Sequence, residues 1–225
     1  ERMEKQPCFM MRLPATWDEF VASWRSKERV IYRTKWRKML EQHQGRALRG
    51  GVDIPWQQAF DELWRVHELR FEGRQSLFLN EPMRCFHREL IERWAPQGRI
   101  MLPLLELDGT VAAARYGFAY AGKYWSYQAG YDQQYGHLSV GKLSLGWTTQ
   151  CAIENGLTDL DHLPGESSYK EQWSDHKRQV LHLEAFNPTS LSAFAFRTLR
   201  YLSRNRGKFQ QVLAIASSPG SAVEA

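Results

Sequence analysis

The sequence is short of the features that mark several large protein classes. It has three cysteines in 225 residues, Cys8, Cys85 and Cys151. An odd, widely spaced set is neither a disulfide framework nor a Cys/His metal pattern. With no base at a telling spacing, none of the three reads as a nucleophile, and Cys151 reads as a small core residue. No apolar run approaches the ~20 residues that cross a bilayer. No secretory leader is visible, no segment repeats, and the compact aromatic signature of an RNA-recognition motif is missing. Asp161 and His162 come nearest to a metal pair, yet adjacent strand residues point to opposite faces, so no metal is expected. A reducing cytoplasm is the simplest compartment. Glu1 stands where an initiator methionine would, so the chain reads as a piece of a longer protein.

What is present is the composition of a folded globular chain, 43% hydrophobic and 13% aromatic, long enough for one substantial core. The net charge is +5. Between Trp17 and Arg49 there are nine basic and four acidic residues, a difference equal to that of the whole chain. The positive charge is therefore an arm, not a coat. Pro14-Ala-Thr16 before Trp17-Asp-Glu predicts an N-cap at Thr16 with first-turn acids, and a helix to about Gln44, broken near Ser26. Two readings fit this arm. Its charges are solvated on a helix that packs Trp24, Tyr32, Trp36 and Met39, or they meet an anionic partner such as a CoA phosphate, a glycan, a membrane or RNA.

Along the chain, Glu1 to Met11 reads as a connecting segment, and Gln44 to Pro55 as a loop with a boundary at Gly50-Gly51. Phe60, Leu63, Trp64 and His67 predict a helix over Trp56 to Arg70. A second helix starts at Asn80-Glu-Pro82 and buries Phe86, Leu90, Ile91 and Trp94, with His87 a hydrogen-bonded core residue. Three strands follow: Ile100 to Leu107, Val111 to Tyr120 and Tyr124 to Tyr131. Asp108-Gly109 between the first two favours a type I′ turn, and Ala121-Gly122 marks a second hairpin. Pro103 lacks an N–H, which predicts an edge strand or a bulge there. A loop with Gly136 and Gly141 leads to an amphipathic helix, Val140 to Asn155, ended by Gly156, and then to a strand, Leu157 to Leu163. Gln179 to Phe186 alternates as a half-buried strand, Asn187 opens a last helix to about Arg204, and the final residues are a tail. The expected division is 1–50 for the leading segment and arm, 51–207 for the main domain and 208–225 for the tail.

The glycine loop before the helix suggests phosphate capture. A helix N-terminus offers unpaired N–H groups and partial positive charge. Gly141 lets backbone approach an anion, Lys142 adds charge and Ser139 caps the helix. The plainer alternative is that the glycines turn the chain and the serine merely caps.

Several segments match a known pattern in order and spacing: Phe86-His87, Leu104-Leu-Glu-Leu-Asp-Gly109, Ala113, Tyr124-Trp-Ser-Tyr127, Gly130-Tyr-Asp132, Ser139-Val-Gly141, and Gly165-Glu-Ser-Ser-Tyr-Lys170 with Trp173. Together they resemble the GNAT-type acetyltransferase domain of the CelD/BcsL group, relatives of the Fem peptidyltransferases, over about half the chain. Val140 stands where that family usually has proline. The resemblance implies an α/β (α+β) fold, a central mixed, largely antiparallel sheet flanked by helices, here with the basic helical arm in front. Relatives often carry a further GNAT-like domain on the N-terminal side.

The resemblance also implies acyl transfer from acetyl-CoA or another acyl-CoA to an amine or hydroxyl acceptor, with a link to polysaccharide or cell-envelope biosynthesis. Gly130, Tyr131, Ser139, Val140, Gly141, Lys142 and Leu143 are then the cofactor-binding candidates. Ser139 to Leu143 would hold the pyrophosphate, and backbone N–H groups near Gly130 and Tyr131 would polarise the thioester carbonyl. Glu166 and Asp161, then His67, are the candidate bases. Tyr169 or Tyr127 would protonate the leaving thiolate, and Lys170 would orient the acceptor or pair with Glu166. Trp64, His67 and Glu68 are either acceptor-site or core residues. Two other readings stay open: aminoacyl transfer from aminoacyl-tRNA, as in Fem-type enzymes, and a non-catalytic domain that binds a glycan or a partner protein. An oligomer is compatible with all three.

Overall fold

The computed structural model describes residues 2–165 and 168–184, together with helical residues 192, 194–196, 198 and 199. Residues Gln6–Val180 form one compact unit. The remaining unit combines Glu1–Lys5 with Leu181–Ala225; its described helical residues include Thr198, whose hydroxyl donates to the Phe194 carbonyl at 3.0 Å. The expected tail, 208–225, lies outside the described residues.

The elements run β1 (Arg2–Arg12), α1 (Trp17–Ala22), α2 (Ser26–Gln42), β2 (Arg46–Arg49), α3 (Trp56–Arg70), α4 (Glu81–Trp94), β3 (Ile100–Met101), β4 (Pro103–Leu107), β5 (Thr110–Tyr120), β6 (Lys123–Tyr131), α5 (Val140–Glu154), β7 (Asp159–Pro164), α6 (Ser168–Trp173) and β8 (His176–Glu184). The sheet has the order β2-β4-β5-β6-β7-β1-β8, with β3 beside β5. The pair β6–β7 is parallel, whereas β2–β4, β4–β5, β5–β6 and β1–β7 are antiparallel. This is the mixed, largely antiparallel sheet flanked by helices that the sequence led us to expect. Both hairpin turns form as anticipated. Asp108 and Gly109 have φ of 52° and 77°, and Ala121 and Gly122 follow with 51° and 73°, the pair of left-handed residues a two-residue turn requires.

Alternation across β4 and β5 divides the core. Leu104, Ala114 and Tyr116 pack with Phe60, Leu63 and Trp64 of α3 and with Ile91 of α4. Leu105, Leu107 and Ala113 pack with Val140 and Leu143 of α5. The strands pair Leu104 with Ala114 and Leu105 with Ala113, so each small alanine faces a leucine and leaves room for a helix above it. Beyond α5 lie α1 and α2, and Tyr32 of α2 approaches so closely that a Cβ on Gly146 would sit 2.3 Å from its hydroxyl oxygen. The arm is broken where expected, and Thr16 caps α1 by accepting the Glu19 N–H at 3.2 Å.

Four expectations need correction. The segment read as a connector is β1, paired with β7 (Met10 with Asp161, Met11 with Leu160). Cys8, Phe9 and Met11 are all buried, and a strand covered on both faces shows no alternation. The segment read as a loop contains β2, whose four residues are too few to display a period; β2 belongs to the same sheet as β1. Pro103 opens β4, which lies between β2 and β5 and not at an edge. Its missing N–H falls where the chain interrupts itself at Leu102, the first-residue position a sheet tolerates. Finally, α5 is not amphipathic: ten of its 15 residues are buried, Ser144, Thr148 and Thr149 among them, because helices cover the side turned away from the sheet.

At the centre of this packing α3 crosses β6 over Gly130. A Cβ there would lie 2.3 Å from the His67 backbone nitrogen, which no rotamer change relieves. Gly130→Ala is expected to destabilise the fold by about 3 kcal/mol, the upper end of overpacking costs. Gly141→Ala, whose added Cβ meets Tyr131 at an ordinary 3.5 Å, is expected to be neutral or slightly stabilising in its helix. Urea denaturation of the two variants checks the contrast.

Candidate active site

The parallel pair β6 and β7 is short. Register runs from Lys123 with Asp159 to Trp125 with Asp161 and then stops, while β6 stays paired with β5 as far as Tyr131. Each strand is fastened to a different neighbour beyond that point. On the β6 side, His67 Nδ1 and Arg70 Nη1 both donate to the Ala129 carbonyl, at 3.0 and 2.8 Å. His67 Nε2 accepts from the Ser76 hydroxyl at 3.0 Å, which fixes the neutral tautomer, and burial pushes its pKa down to about 4. On the β7 side, the buried Asp161 carboxylate accepts from the Cys8 thiol at 3.0 Å, the Leu163 N–H at 2.8 Å and the Arg178 guanidinium at 2.5 Å.

A cavity of about 320 Å³ opens beside the gap, lined by Gly130 and Tyr131 of β6 and by Val140, Gly141 and Lys142 at the head of α5. Arg70, Arg115 and Tyr169 also line it, and none of its described lining residues is acidic. Ser139 takes the left-handed conformation, φ 55° and ψ 44°. Its carbonyl accepts the N–H groups of Lys142 and Leu143, at 2.8 and 3.2 Å. The N–H groups of Val140 and Gly141 have no acceptor among the described residues, so the first turn of a 15-residue helix presents two free donors at the cavity.

Arg115 is the least expected member. It sits in β5, is 6% exposed, and donates from Nη2 to the Gly141 carbonyl at 3.3 Å. Its Nε and Nη1 have no partner among the described residues, and its guanidinium lies 5.7 Å from the Tyr169 ring centroid. The buried Tyr124 hydroxyl, Ser144 hydroxyl and both His162 nitrogens are likewise unpartnered there. Burial, with the charges of Arg115 and Lys170 adding to it, pushes the His162 pKa down to about 3. Of these, Arg115 and Ser144 line the cavity, and unsatisfied polar atoms at a cavity are the pattern left when a polar ligand is the missing partner. Sequence reasoning passed over Arg70 and Arg115. The signal for Arg115 was there, one arginine in the middle of the apolar run Val111 to Tyr120.

The sequence-derived candidates divide. Gly130, Tyr131, Ser139, Val140, Gly141, Lys142 and Tyr169 come together at the cavity. Ser139 does not cap α5 with its side chain; its hydroxyl accepts from the Lys35 ammonium of the arm. Leu143 is buried and its N–H is engaged, so it offers an anion nothing. Asp161 is not free to act as a base, because three donors already share its carboxylate. Lys170 donates to the Leu163 and Pro164 carbonyls at 3.2 and 3.5 Å, closing the end of β7. Tyr127 packs with Phe78, His87 and Phe118 on the opposite face, away from the cavity. His67 and His87 are core residues, the latter bonded to the Tyr116 hydroxyl at 3.3 Å with its pKa lowered by burial to about 4. Trp64 and Glu68 bond each other at 2.8 Å. Glu166 lies outside the described residues. Among the described residues no group of side chains could hold a metal ion, and no helix is long and apolar enough to cross a membrane.

Residues 15–171 match the model of the acetyltransferase (GNAT) domain. The chain belongs to that GNAT family. No curated protein matches it. Among solved structures, FemX is similar with a TM-score of 0.59 at 9% identity, covering 78% of this chain and 59% of its own. L-PGS from Bacillus licheniformis has a TM-score of 0.55 at 14% identity, covering 80% and 61%. The C-terminal domain of a putative lysylphosphatidylglycerol synthetase from Agrobacterium fabrum has 0.53 at 12%, covering 89% and 66%. At such identities these likenesses concern the GNAT fold alone, and the chain spans about three-fifths of the length of the first two.

The buried histidines are expected to make this GNAT domain acid-sensitive. In the unfolded chain each binds a proton below about pH 6.5. His67, His87 and His162 stay neutral in the folded chain down to about 4, 4 and 3. Their contribution is intact above pH 6.5 and is lost as pH falls from there towards 4, at up to ~1.4 kcal/mol per pH unit for each. Guanidinium midpoints are expected to drop between pH 7 and pH 5, and less steeply in a His67→Gln variant. A midpoint flat across that interval would contradict the neutral-core account.

Proposed function

We propose that the chain is an acyltransferase that takes an acyl group from an acyl-CoA, acetyl-CoA in the simplest case, and passes it to an amine or hydroxyl acceptor. In this reading the cavity at the head of α5 receives the donor's diphosphate. Arg115 is the observation that supports it most. A guanidinium buried with two nitrogens unpaired is costly, and an anion brought to Gly141 offsets that cost. The N–H groups of Val140 and Gly141, Lys142 and Arg70 would share the charge.

The thioester would lie in the gap between β6 and β7, its carbonyl oxygen polarised by backbone N–H groups of β6 near Gly130 and Tyr131. The acceptor's lone pair attacks the carbonyl carbon, the C–S bond breaks, the proton the acceptor loses restores the group that protonates the sulfur, and the thiolate takes up a proton. Tyr169 is the hydroxyl we assign to that last step. With Asp161 and Lys170 engaged elsewhere we assign no dedicated base; a neutral amine held in place needs chiefly positioning. The CelD/BcsL resemblance supports an acceptor from polysaccharide or cell-envelope biosynthesis, and the three free cysteines support a cytoplasmic setting. A second reading, aminoacyl transfer from tRNA, is supported by the positive charge of α2 and by the sequence resemblance to relatives of the Fem peptidyltransferases.

The functional and structural roles of Arg115 predict opposite outcomes. Arg115→Met is expected to raise stability against urea by about 1 kcal/mol, as replacing buried uncompensated charge does, and to weaken CoA binding at least tenfold by calorimetry. Gly141→Asp places a carboxylate at the diphosphate and is expected to abolish CoA binding. If bulk tRNA binds with a steep salt slope and CoA does not, the second reading replaces the first.

A further inference from the structure

The cavity at the head of α5 is cationic and has two sides. Val140, Gly141 and Lys142 reach it from α5, which packs on the sheet face of Leu105 and Ala113. Arg70 reaches it from α3, which packs on the other face with Leu104 and Ala114. Arg70 is half-buried. Its Nη1 donates to the Ala129 carbonyl at 2.8 Å, and its guanidinium lies 5.3 Å from the Tyr131 ring centroid and 5.2 Å from that of Phe71. Arg74 brings a second guanidinium to Phe71, at 5.9 Å, and donates from Nη2 to the Arg70 carbonyl at 3.3 Å. Phe71 stacks on the His67 ring with 4.5 Å between centroids. Ala129 and Ser76 in turn fix His67, so the two cations stand over a held aromatic platform. Neither arginine forms an ion pair among the described residues. Glu72, in the same turn, is exposed and pairs with neither.

The diphosphate proposed for the α5 side has one negative charge on each phosphate, which Arg115 and Lys142 match. Arg70 and Arg74 are then in excess on the α3 side. With the donor occupying the α5 side, that is the side left for the acceptor. An acetyl group has no charge to offer the two guanidiniums. A polycationic acceptor is repelled by them. A carboxylate or a phosphate fits their planar forks directly. We infer that the acceptor carries an anionic group, carboxylate or phosphate, near the amine or hydroxyl that is acylated, and that Arg70 and Arg74 bind that group over the Phe71 ring. An acceptor of this class presupposes the acyl transfer proposed above and narrows what the site accepts.

Calorimetry at low ionic strength tests it on the full chain saturated with CoA. Two pairs of probes serve: phosphoethanolamine against ethanolamine, and glucuronate against glucose. The anionic member of at least one pair is expected to bind about tenfold more tightly than its partner. Arg74→Gln, at an exposed position, is expected to remove most of that advantage and to leave CoA affinity unchanged. Equal binding within both pairs, no binding of any probe, or an advantage unchanged in Arg74→Gln overturns the acceptor class and leaves the donor reading standing. If CoA does not bind, the donor reading falls, and the same probes on the free chain decide for or against the anion site. Succinyl-CoA and acetyl-CoA are expected to bind equally. A tenfold preference for succinyl-CoA that Arg74→Gln removes would give the anion to the acyl group and overturn the acceptor class.

Discussion

The fold turns on the divergence of a pair of parallel strands, each tied to something other than its neighbour. Up to Trp125 and Asp161 they share a ladder. Past that point β6 is held by β5 beside it and by α3, whose His67 and Arg70 take the carbonyl of Ala129. β7 is held by β1 and by the Asp161 carboxylate, which gathers a thiol, an amide and a guanidinium. Glycine at 130 lets α3 come close enough to hold β6. The cavity is the space these two fastenings leave, and the head of α5 fills one side of it. Asp161, which looks like an acid–base group in the bare sequence, thus belongs to the frame.

Electrostatics make the cavity costly to keep. Arg70 and Arg115 line it without a described carboxylate, and burial lowers the pKa of Arg70. The two arginines, Lys142 and two free N–H groups converge, whereas a core built for stability alone would pair or replace such groups. Local polar dissatisfaction that the surrounding packing over-determines is typical of sites where a ligand completes the structure.

The arm joins this arrangement from outside. Its helices cover α5 on the side away from the sheet, and its Lys35 touches Ser139. The cationic cavity adjoins a larger one, about 1050 Å³, whose wall carries Phe20 of α1, Trp24 of the link that follows it and Tyr32 of α2. A segment that composition marks as a basic appendage is, in three dimensions, one wall of the larger cavity and a cover of the core.

Local chemistry was readable from the chain. Turns at Asp108-Gly109 and Ala121-Gly122, the cap at Thr16, the helices α3 and α4 and the strands around Tyr124 follow from short-range steric and periodic rules, and so does the glycine-bearing loop that leads into α5. Burial and partnership were not readable, because they depend on residues far apart in sequence. Cys8 lies 153 positions from the carboxylate it bonds, and Lys35 is 104 positions from Ser139. β1 shows no alternation because both its faces are covered, and α5 shows no polar face because the arm lies over it. Arg115 stands in plain view in the sequence, but that its charge is unpaired and turned towards Gly141 follows from the packing of β5 against α5, since an arginine's cost or use is set by what surrounds it.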